Sequence, residues 1–191
     1  MAKEFELKYQ ATPEILAKIQ EEYSNFLPIV METTYFDTQN GAMNARRWTL
    51  RRRLENGKSL CSLKTPGDFI CRGEWETEGE DIAALIPVLC SLGAPQELLS
   101  LTAQGIAPVC GARFTRLAAQ IFLPGGAVEL ALDQGAFLGG GRKVAFAEVE
   151  VELKAGEEAV ALAFAQDLAE TYHLTPETKG KVERAMALAE G

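Results

Sequence analysis

Three turn signals constrain this chain more than anything else in it. Asn56-Gly57, Pro124-Gly125-Gly126 and Gly139-Gly140-Gly141 each separate two runs in which charged and apolar residues alternate. Alternation with a period of two is the pattern of a strand that buries one face. Short glycine-containing connections join such strands antiparallel, and Asn-Gly is the strongest of these signals. The runs are 46–55 and 58–65 about the first turn, and 112–123, 127–138 and 142–153 about the other two. Three more strands are predicted, over 2–10, from Val30 to Asp37, and over 69–78 after the turn Pro66-Gly67-Asp68. Eight antiparallel strands are enough to close a small barrel. The expected fold class is therefore α+β, an eight-stranded antiparallel β-barrel with helices packed on the outside.

The helices come from a different periodicity. Thr12-Pro13 reads as an N-cap with proline in the first helical position, starting a helix that runs to about Tyr23. Residues 81–104 are predicted helical, broken near Pro87 and Gly93-Ala94-Pro95. A helix over 156–172 carries Val160, Phe164, Leu168 and Tyr172 on one stripe. Thr175-Pro176 is expected to start a last helix containing Lys179, Lys181 and Arg184. No internal repeat or low-complexity linker interrupts the 191 residues, so a single domain over 1–191 is expected. The charged, alternating N-terminus has no apolar leader, and no apolar run is long enough to span a bilayer. A cytoplasmic location is the expectation, with no membrane and no nucleic acid among the partners.

Charge narrows the function classes. The net charge is −8, with 27 acids against 19 bases, the wrong balance for a nucleic-acid surface. Bases nevertheless cluster at 46–53 and 113–116, and acids at 74–80 and 148–152. Local arginine clusters in an acidic protein suit a small anion held inside the molecule. The polar strand faces are almost purely ionic: Glu4, Glu6 and Lys8; Arg51, Arg53 and Lys64; Arg72, Glu74 and Glu76; Arg113 and Arg116; Glu129 and Asp133; Glu148, Glu150 and Glu152. Like charges two residues apart on one face repel unless something neutralises them. Repeated Glu-x-Glu suits a hard divalent cation, and paired arginines suit phosphate oxygens. A single strand of this kind is ordinarily a solvated face laced with salt bridges. Sign segregation over six strands favours a lined cavity. The opposite faces, with Phe5, Leu7, Trp48, Leu50, Val149 and Val151, must then be covered by helices.

Other chemistries find no support. Cys61, Cys71, Cys90 and Cys110 form no CxxC pair, and His173, the only histidine, lies far from all four. Gly139–Gly141 with Arg142-Lys143 lacks the GxxxxGK[ST] pattern and leads into a strand. Trp48 and Trp75 could stack on a base, but strand packing explains both better.

The opening Glu4-Phe5-Glu6-Leu7-Lys8 matches the ExExK signature of the CYTH superfamily, the triphosphate tunnel metalloenzymes. Further matches follow in the family's order: Tyr35-Phe36-Asp37-Thr38, Leu50-Arg51-Arg52-Arg53, Leu63-Lys64, Arg72 to Glu76, Phe114-Thr115-Arg116, Glu129 to Gly135, Glu148-Val149-Glu150, and Lys181 before Arg184. The chain thus resembles that superfamily over its whole length. The run Ala131-Leu132-Asp133-Gln134-Gly135 is similar to bacterial inorganic triphosphatases in particular, and the expectation is a member without the CHAD domain that those proteins often carry.

The resemblance implies a charged tunnel in which Mg²⁺ or Mn²⁺ serves as cofactor. By it, Glu4, Glu6, Glu148 and Glu150 look like metal ligands, with Asp133, Glu74 and Glu152 assisting. Lys8, Arg51, Arg53, Lys64, Arg116 and Lys181 look like the triphosphate clamp, with Arg72, Arg113 and Arg184 as further candidates. Glu6, Lys8, Asp133 and Glu148 would stand nearest the chemistry. The expected activity is metal-dependent hydrolysis of inorganic triphosphate to pyrophosphate and phosphate. The alternatives are a thiamine-triphosphatase, a nucleoside triphosphatase, a class IV adenylate cyclase, or a non-catalytic module that binds polyphosphate or nucleotide.

Overall fold

The computed structural model describes residues 5–66 and 73–191. Strand β1 (Glu6–Gln10) leads into helix α1 (Pro13–Glu22), where the Thr12 hydroxyl accepts the N–H of Ile15 and Pro13 opens the first turn. Strand β2 (Leu27–Asp37) follows, then the one-turn helix α2 (Ala42–Ala45) and the hairpin β3 (Thr49–Glu55) and β4 (Lys58–Thr65). Asn56 and Gly57 both take positive φ, 49° and 85°, as a two-residue hairpin turn requires. Strand β5 (Gly73–Glu78), helices α3 (Ile82–Ser91) and α4 (Glu97–Thr102), and the long meander β6 (Ala107–Leu123), β7 (Gly126–Gly139) and β8 (Arg142–Ala155) come next. Helix α5 (Glu158–Tyr172), the two-residue strand β9 (Thr175–Pro176) and helix α6 (Lys181–Glu190) complete the order.

The strands form one antiparallel sheet in the order β5-β4-β3-β2-β6-β7-β8-β1-β9. Eight of them are the predicted strands, and the ninth is the short pairing of Thr175 and Pro176 with Tyr9 and Gln10. No ladder joins β5 to β9 among the described residues, so the curved sheet of a tunnel is present without hydrogen-bonded closure.

Register assigns the faces. Leu7 pairs with Val151 and Tyr9 with Val149, and Val149 in turn pairs with Leu132. These residues share one face with Leu130 and Val128, and α1 and α5 cover it through Leu16, Ile19, Ala161, Ala165 and Leu168. On the other wing, Leu50, Cys61 and Leu63 of the same face are covered by α3 and α4 through Ile82, Ile86, Leu89 and Leu98. Both clusters exclude large apolar areas from water at roughly 25 cal/mol per Å². Cys61, Cys90 and Cys110 are buried free thiols; Cys71 lies outside the described residues.

Three features differ from the pattern read in the sequence. The segment 81–104 breaks about Gly93-Ala94-Pro95 as expected but not at Pro87, which sits inside α3 on its exposed side, where the carbonyl it leaves unpaired can reach water. Helix α2 arises because the buried Asp37 carboxylate accepts the N–H groups of Thr38, Met43 and Asn44 at 2.7, 2.9 and 3.0 Å. The last helix begins at Lys181, because Thr175 and Pro176 pair with β1 and the N–H of Glu177 donates to the Lys8 carbonyl at 2.8 Å.

Helix α6 also takes a side of its own. The other helices pack on the apolar face, whereas α6 lies across the charged face, on an apolar patch of Met31, Tyr35, Phe114, Phe137 and Phe146. Gly139 permits that approach: a Cβ there would meet the Ala185 carbonyl oxygen at 2.7 Å and the Ala189 nitrogen at 2.9 Å. Among the described residues, no helix is long and apolar enough to cross a membrane.

Candidate metal and phosphate site

Glu6 pairs with Glu152, Lys8 with Glu150 and Gln10 with Glu148, while Asp133 pairs with both Glu148 and Arg116. Partners across a ladder point to the same side, so the period of two places all of these side chains on one face. The same rule carries the face onto the other wing through Tyr35 to Arg51, Arg51 to Ser62, and Ser62 to Glu76. Arg53, Lys64 and Glu74 belong to it by parity. These ionic residues therefore form one continuous surface, with α6 laid over part of it.

Asp133, Glu148 and Glu150 are the buried heart of that surface, 0%, 0% and 5% exposed. Burial at this depth requires paired charges. Arg116 grips Asp133 with both arms, Nε to Oδ1 at 2.8 Å and Nη2 to Oδ2 at 2.7 Å, and also contacts Glu150. Lys181, at the start of α6, reaches Asp133 Oδ2 at 2.8 Å and Glu150 Oε1 at 2.7 Å, and contacts Glu148. Arg184, one turn on, contacts Glu148 and lies 3.6 Å from Glu177. Aromatic faces seat the cations: Lys181 Nζ lies 5.2 Å from the Phe114 ring centre and the Arg184 guanidinium 4.7 Å from that of Phe137.

The electrostatics follow from this crowding. Burial and the adjacent Glu150 carboxylate push Glu6 up to about 8, against the opposing pull of Lys8. Burial would raise Glu150 too, but Lys181 and Arg116 outweigh it and hold that carboxyl well below the usual range. The two carboxyls titrate as a pair, with the protonated form favoured at Glu6 and the ionised form at Glu150. Burial raises Glu148 despite Lys181 beside it. Burial also weighs against the charges of Lys181 and Arg116, yet their acidic partners keep both above their ordinary values.

The β3–β4 wing is basic. Arg51 donates to Ser62 Oγ at 3.0 Å and lies 3.5 Å from Glu74, Lys64 lies 3.2 Å from Glu74, and Arg53 lies 2.6 Å from Glu55. Burial and neighbouring Arg51 depress Arg53 below the usual arginine range. The Nε groups of Arg53 and Arg184 are buried without a hydrogen-bond partner among the described residues. Unpaired buried donors are rare enough to ask for an explanation, and an anion would satisfy them.

Of the residues singled out in the sequence, Glu6, Lys8, Arg116, Asp133, Glu148, Glu150, Lys181 and Arg184 come together in one cluster. Lys8 lies 3.5 Å from Glu6 and 3.9 Å from Glu150 at its edge. Glu152 stands beside Glu6, paired to Lys154 at 2.8 Å. Arg51, Arg53 and Lys64 form the basic wing, and Glu74 is there with them, apart from the other acids. Arg113 is not brought to the cluster: it lies on the opposite face, 64% exposed, bound to Glu32 at 3.0 Å. Hollows of about 270 and 340 Å³ border it there, away from the ionic surface. Glu4 and Arg72 lie outside the described residues. Sequence reasoning missed Ser62, Glu177 and the aromatic seats Phe114, Phe137 and Phe146; parity with Arg116, Asp133 and Glu148 would have found the last three.

A hard divalent ion suits the cluster. Carboxylate oxygens of Asp133, Glu148 and Glu150 lie within 4.8 Å of one another, and an all-oxygen donor set is what such ions select. The antiparallel sheet gathers buried carboxylates and unpaired guanidinium donors on one face, and the three carboxylates are a donor set that could hold a metal ion. The CYTH domain family matches residues 2–186, and the chain belongs to that family. Solved structures of the same fold include a candidate adenylyl cyclase from Hippeastrum described as revealing a dominant triphosphatase activity, with TM-score 0.70, 16% identity and 98% and 97% of the two chains covered. A candidate adenylate cyclase from Bacillus halodurans matches with TM-score 0.67 and 19% identity over 95% and 96%. The PH1819 protein from Pyrococcus horikoshii matches with TM-score 0.62 and 22% identity over 96% and 98%. At these identities the likeness is one of fold.

Proposed function

We propose that this protein hydrolyses inorganic triphosphate to pyrophosphate and phosphate with Mg²⁺ or Mn²⁺, the chain acting as one CYTH unit. The observation that carries this reading is the meeting of three buried carboxylates with Arg116, Lys181 and Arg184 on the same face as the basic wing. A protein that only bound polyphosphate would have no use for acids among its cations, since they repel the ligand.

Asp133, Glu148 and Glu150, with Glu6 at their edge and Glu152 beside it, are the residues that would hold the metal, and Glu4 is assigned to them by the family resemblance alone. When bound, a divalent ion supplies charge neutralisation at phosphate oxygens and lowers the pKa of a coordinated water. Arg51, Arg53 and Lys64 bind the far phosphates, where the unpaired Arg53 Nε gains an acceptor. Arg116, Lys181, Arg184 and Lys8 orient the near phosphate and stabilise charge as the bridging bond breaks. Covering the face with α6 keeps bulk water from these cations.

The preference for a bare anion rests on where the aromatic rings lie. Trp48 and Trp75 pack under α3 and α4 on the other face, so neither can stack on a base or thiazolium ring bound here. The rings on the charged face are already occupied beneath α6 and its cations. The name of the Hippeastrum relative supports triphosphatase chemistry and also keeps cyclase activity in view. The test is phosphate release from inorganic triphosphate, ATP and thiamine triphosphate in parallel, with cyclic AMP assayed on the ATP sample. Preference for the inorganic substrate supports the proposal. Cyclic AMP as the main product from ATP, or faster release from either organic triphosphate, overturns it.

A further inference from the structure

Lys181 occupies a peculiar place. Its ammonium has three N–H donors, and three carboxylates surround it: Asp133 Oδ2 at 2.8 Å, Glu150 Oε1 at 2.7 Å, and Glu148. These are the same three residues whose oxygens converge closely enough to hold a metal ion. An ammonium and a divalent ion cannot both draw on those oxygens at full strength. Arg116 and Arg184 leave less room for exchange: Arg116 is held by two parallel bonds to Asp133, and Arg184 is also fixed outside the cluster by its seat on the Phe137 ring and by Glu177.

We infer that Lys181 is the resident counter-cation of the metal site: it neutralises Asp133, Glu148 and Glu150 before loading and transfers to phosphate oxygens when metal and triphosphate arrive. This rests on the function proposed above. The surroundings suit a movable side chain on a fixed base. The helix start is anchored independently, by the Glu177 N–H on the Lys8 carbonyl and by the Glu177 carboxylate, which accepts from Gln10 Nε2 at 3.0 Å and from the Lys179 N–H at 2.8 Å. The ammonium can therefore swing while α6 stays in place. The Phe114 and Phe146 rings, 5.2 and 5.8 Å from it, present π-faces to the cation on its way.

The consequence is a coupling between ligands. Metal alone must compete with Lys181 and binds weakly. Metal binds more tightly once triphosphate draws Lys181 away, and by reciprocity triphosphate binds more tightly with metal present.

The experiment is Mn²⁺ binding to the metal-free protein, followed by the loss of the free-ion electron paramagnetic resonance signal, in wild type, Lys181→Met and Lys181→Gln. Both variants are expected to bind Mn²⁺ alone at least tenfold more tightly than wild type, while the tightening produced by triphosphate shrinks. Equal or weaker Mn²⁺ binding in folded variants overturns the inference. A second readout needs no variant: in ¹⁵N-lysine-labelled wild type, saturating Mg²⁺ should shift the Lys181 ammonium signal, and an unmoved signal overturns the inference. Wild type that binds no Mn²⁺ and hydrolyses nothing would overturn the functional proposal itself. Intact hydrolysis with unaltered Mn²⁺ affinity in the variants would overturn the competition alone.

Discussion

The two nitrogen arms of Arg116 close on the two oxygens of Asp133, at 2.8 and 2.7 Å, beneath a surface that leaves Asp133 wholly inaccessible. Such a pair is an obligation as much as a support. Its desolvation is offset only while both partners remain, and removing one leaves a buried charge unpaired. Arg116→Ala should therefore lower the unfolding free energy by about 3 kcal/mol. Urea denaturation checks this, and a loss under about 0.5 kcal/mol would place the pair in far wetter surroundings than the structure describes.

Arg113 offers the contrasting case. It is 64% exposed on the opposite face and bound to Glu32, an arrangement worth about 0–1 kcal/mol. Arg113→Ala should keep kcat and KM for triphosphate within about twofold of wild type, whereas Arg53→Ala, which removes a buried unpaired donor, should cost about a hundredfold in kcat/KM. Comparable losses in the two variants would contradict the assignment of faces.

Glu6 sets a pH dependence. Its carboxyl is raised from an ordinary 4.5 to about 8, by burial first and then by Glu150. The folded state therefore holds a proton that the unfolded state releases, so this contribution is complete below pH 4.5 and is lost as pH rises to about 8. In metal-free protein, the Glu6 contribution to stability should fall across that window by up to about 1.4 kcal/mol per pH unit. The measurement is the difference in stability between wild type and Glu6→Gln over that pH range. A difference that does not change with pH would place the proton elsewhere.

The seat of α6 depends on one missing side chain. A Cβ at Gly139 would lie 2.7 Å from the Ala185 carbonyl oxygen and 2.9 Å from the Ala189 nitrogen, both backbone atoms. Gly139→Val should cost about 1–3 kcal/mol through overpacking. Because α6 carries Lys181 and Arg184, the same change should reduce kcat/KM for triphosphate. Full activity together with full stability would show that α6 does not rest there.

Much of this architecture is legible in the chain. The hairpin at Asn56-Gly57 and the alternation of Glu148, Glu150 and Glu152 with Val149 and Val151 are local patterns, and local patterns survive folding. The sequence reading misplaces Arg113 beside Arg116, although it stands three residues away and a period of two puts such residues on opposite faces. The position of α6 was not legible. Lys181 meets Asp133, Glu148 and Glu150 across more than thirty residues of chain, and the apolar stripe of α6 would suit either face of the sheet. Phe114 and Phe137 read as ordinary core until α6 makes them the floor of the site. Thr175-Pro176 carries a helix-start signal that pairing with Tyr9 and Gln10 overrides.

The central claim is that buried carboxylates and opposed cations form one metal-dependent hydrolytic site, and phosphate release from inorganic triphosphate tests it most directly. Wild-type protein and Glu148→Gln would be assayed with Mg²⁺, with Mn²⁺ and in EDTA. The account predicts turnover by wild type with metal, none in EDTA, and a loss of at least about a hundredfold in Glu148→Gln. Undiminished release in EDTA, or wild-type rates in Glu148→Gln, would contradict it.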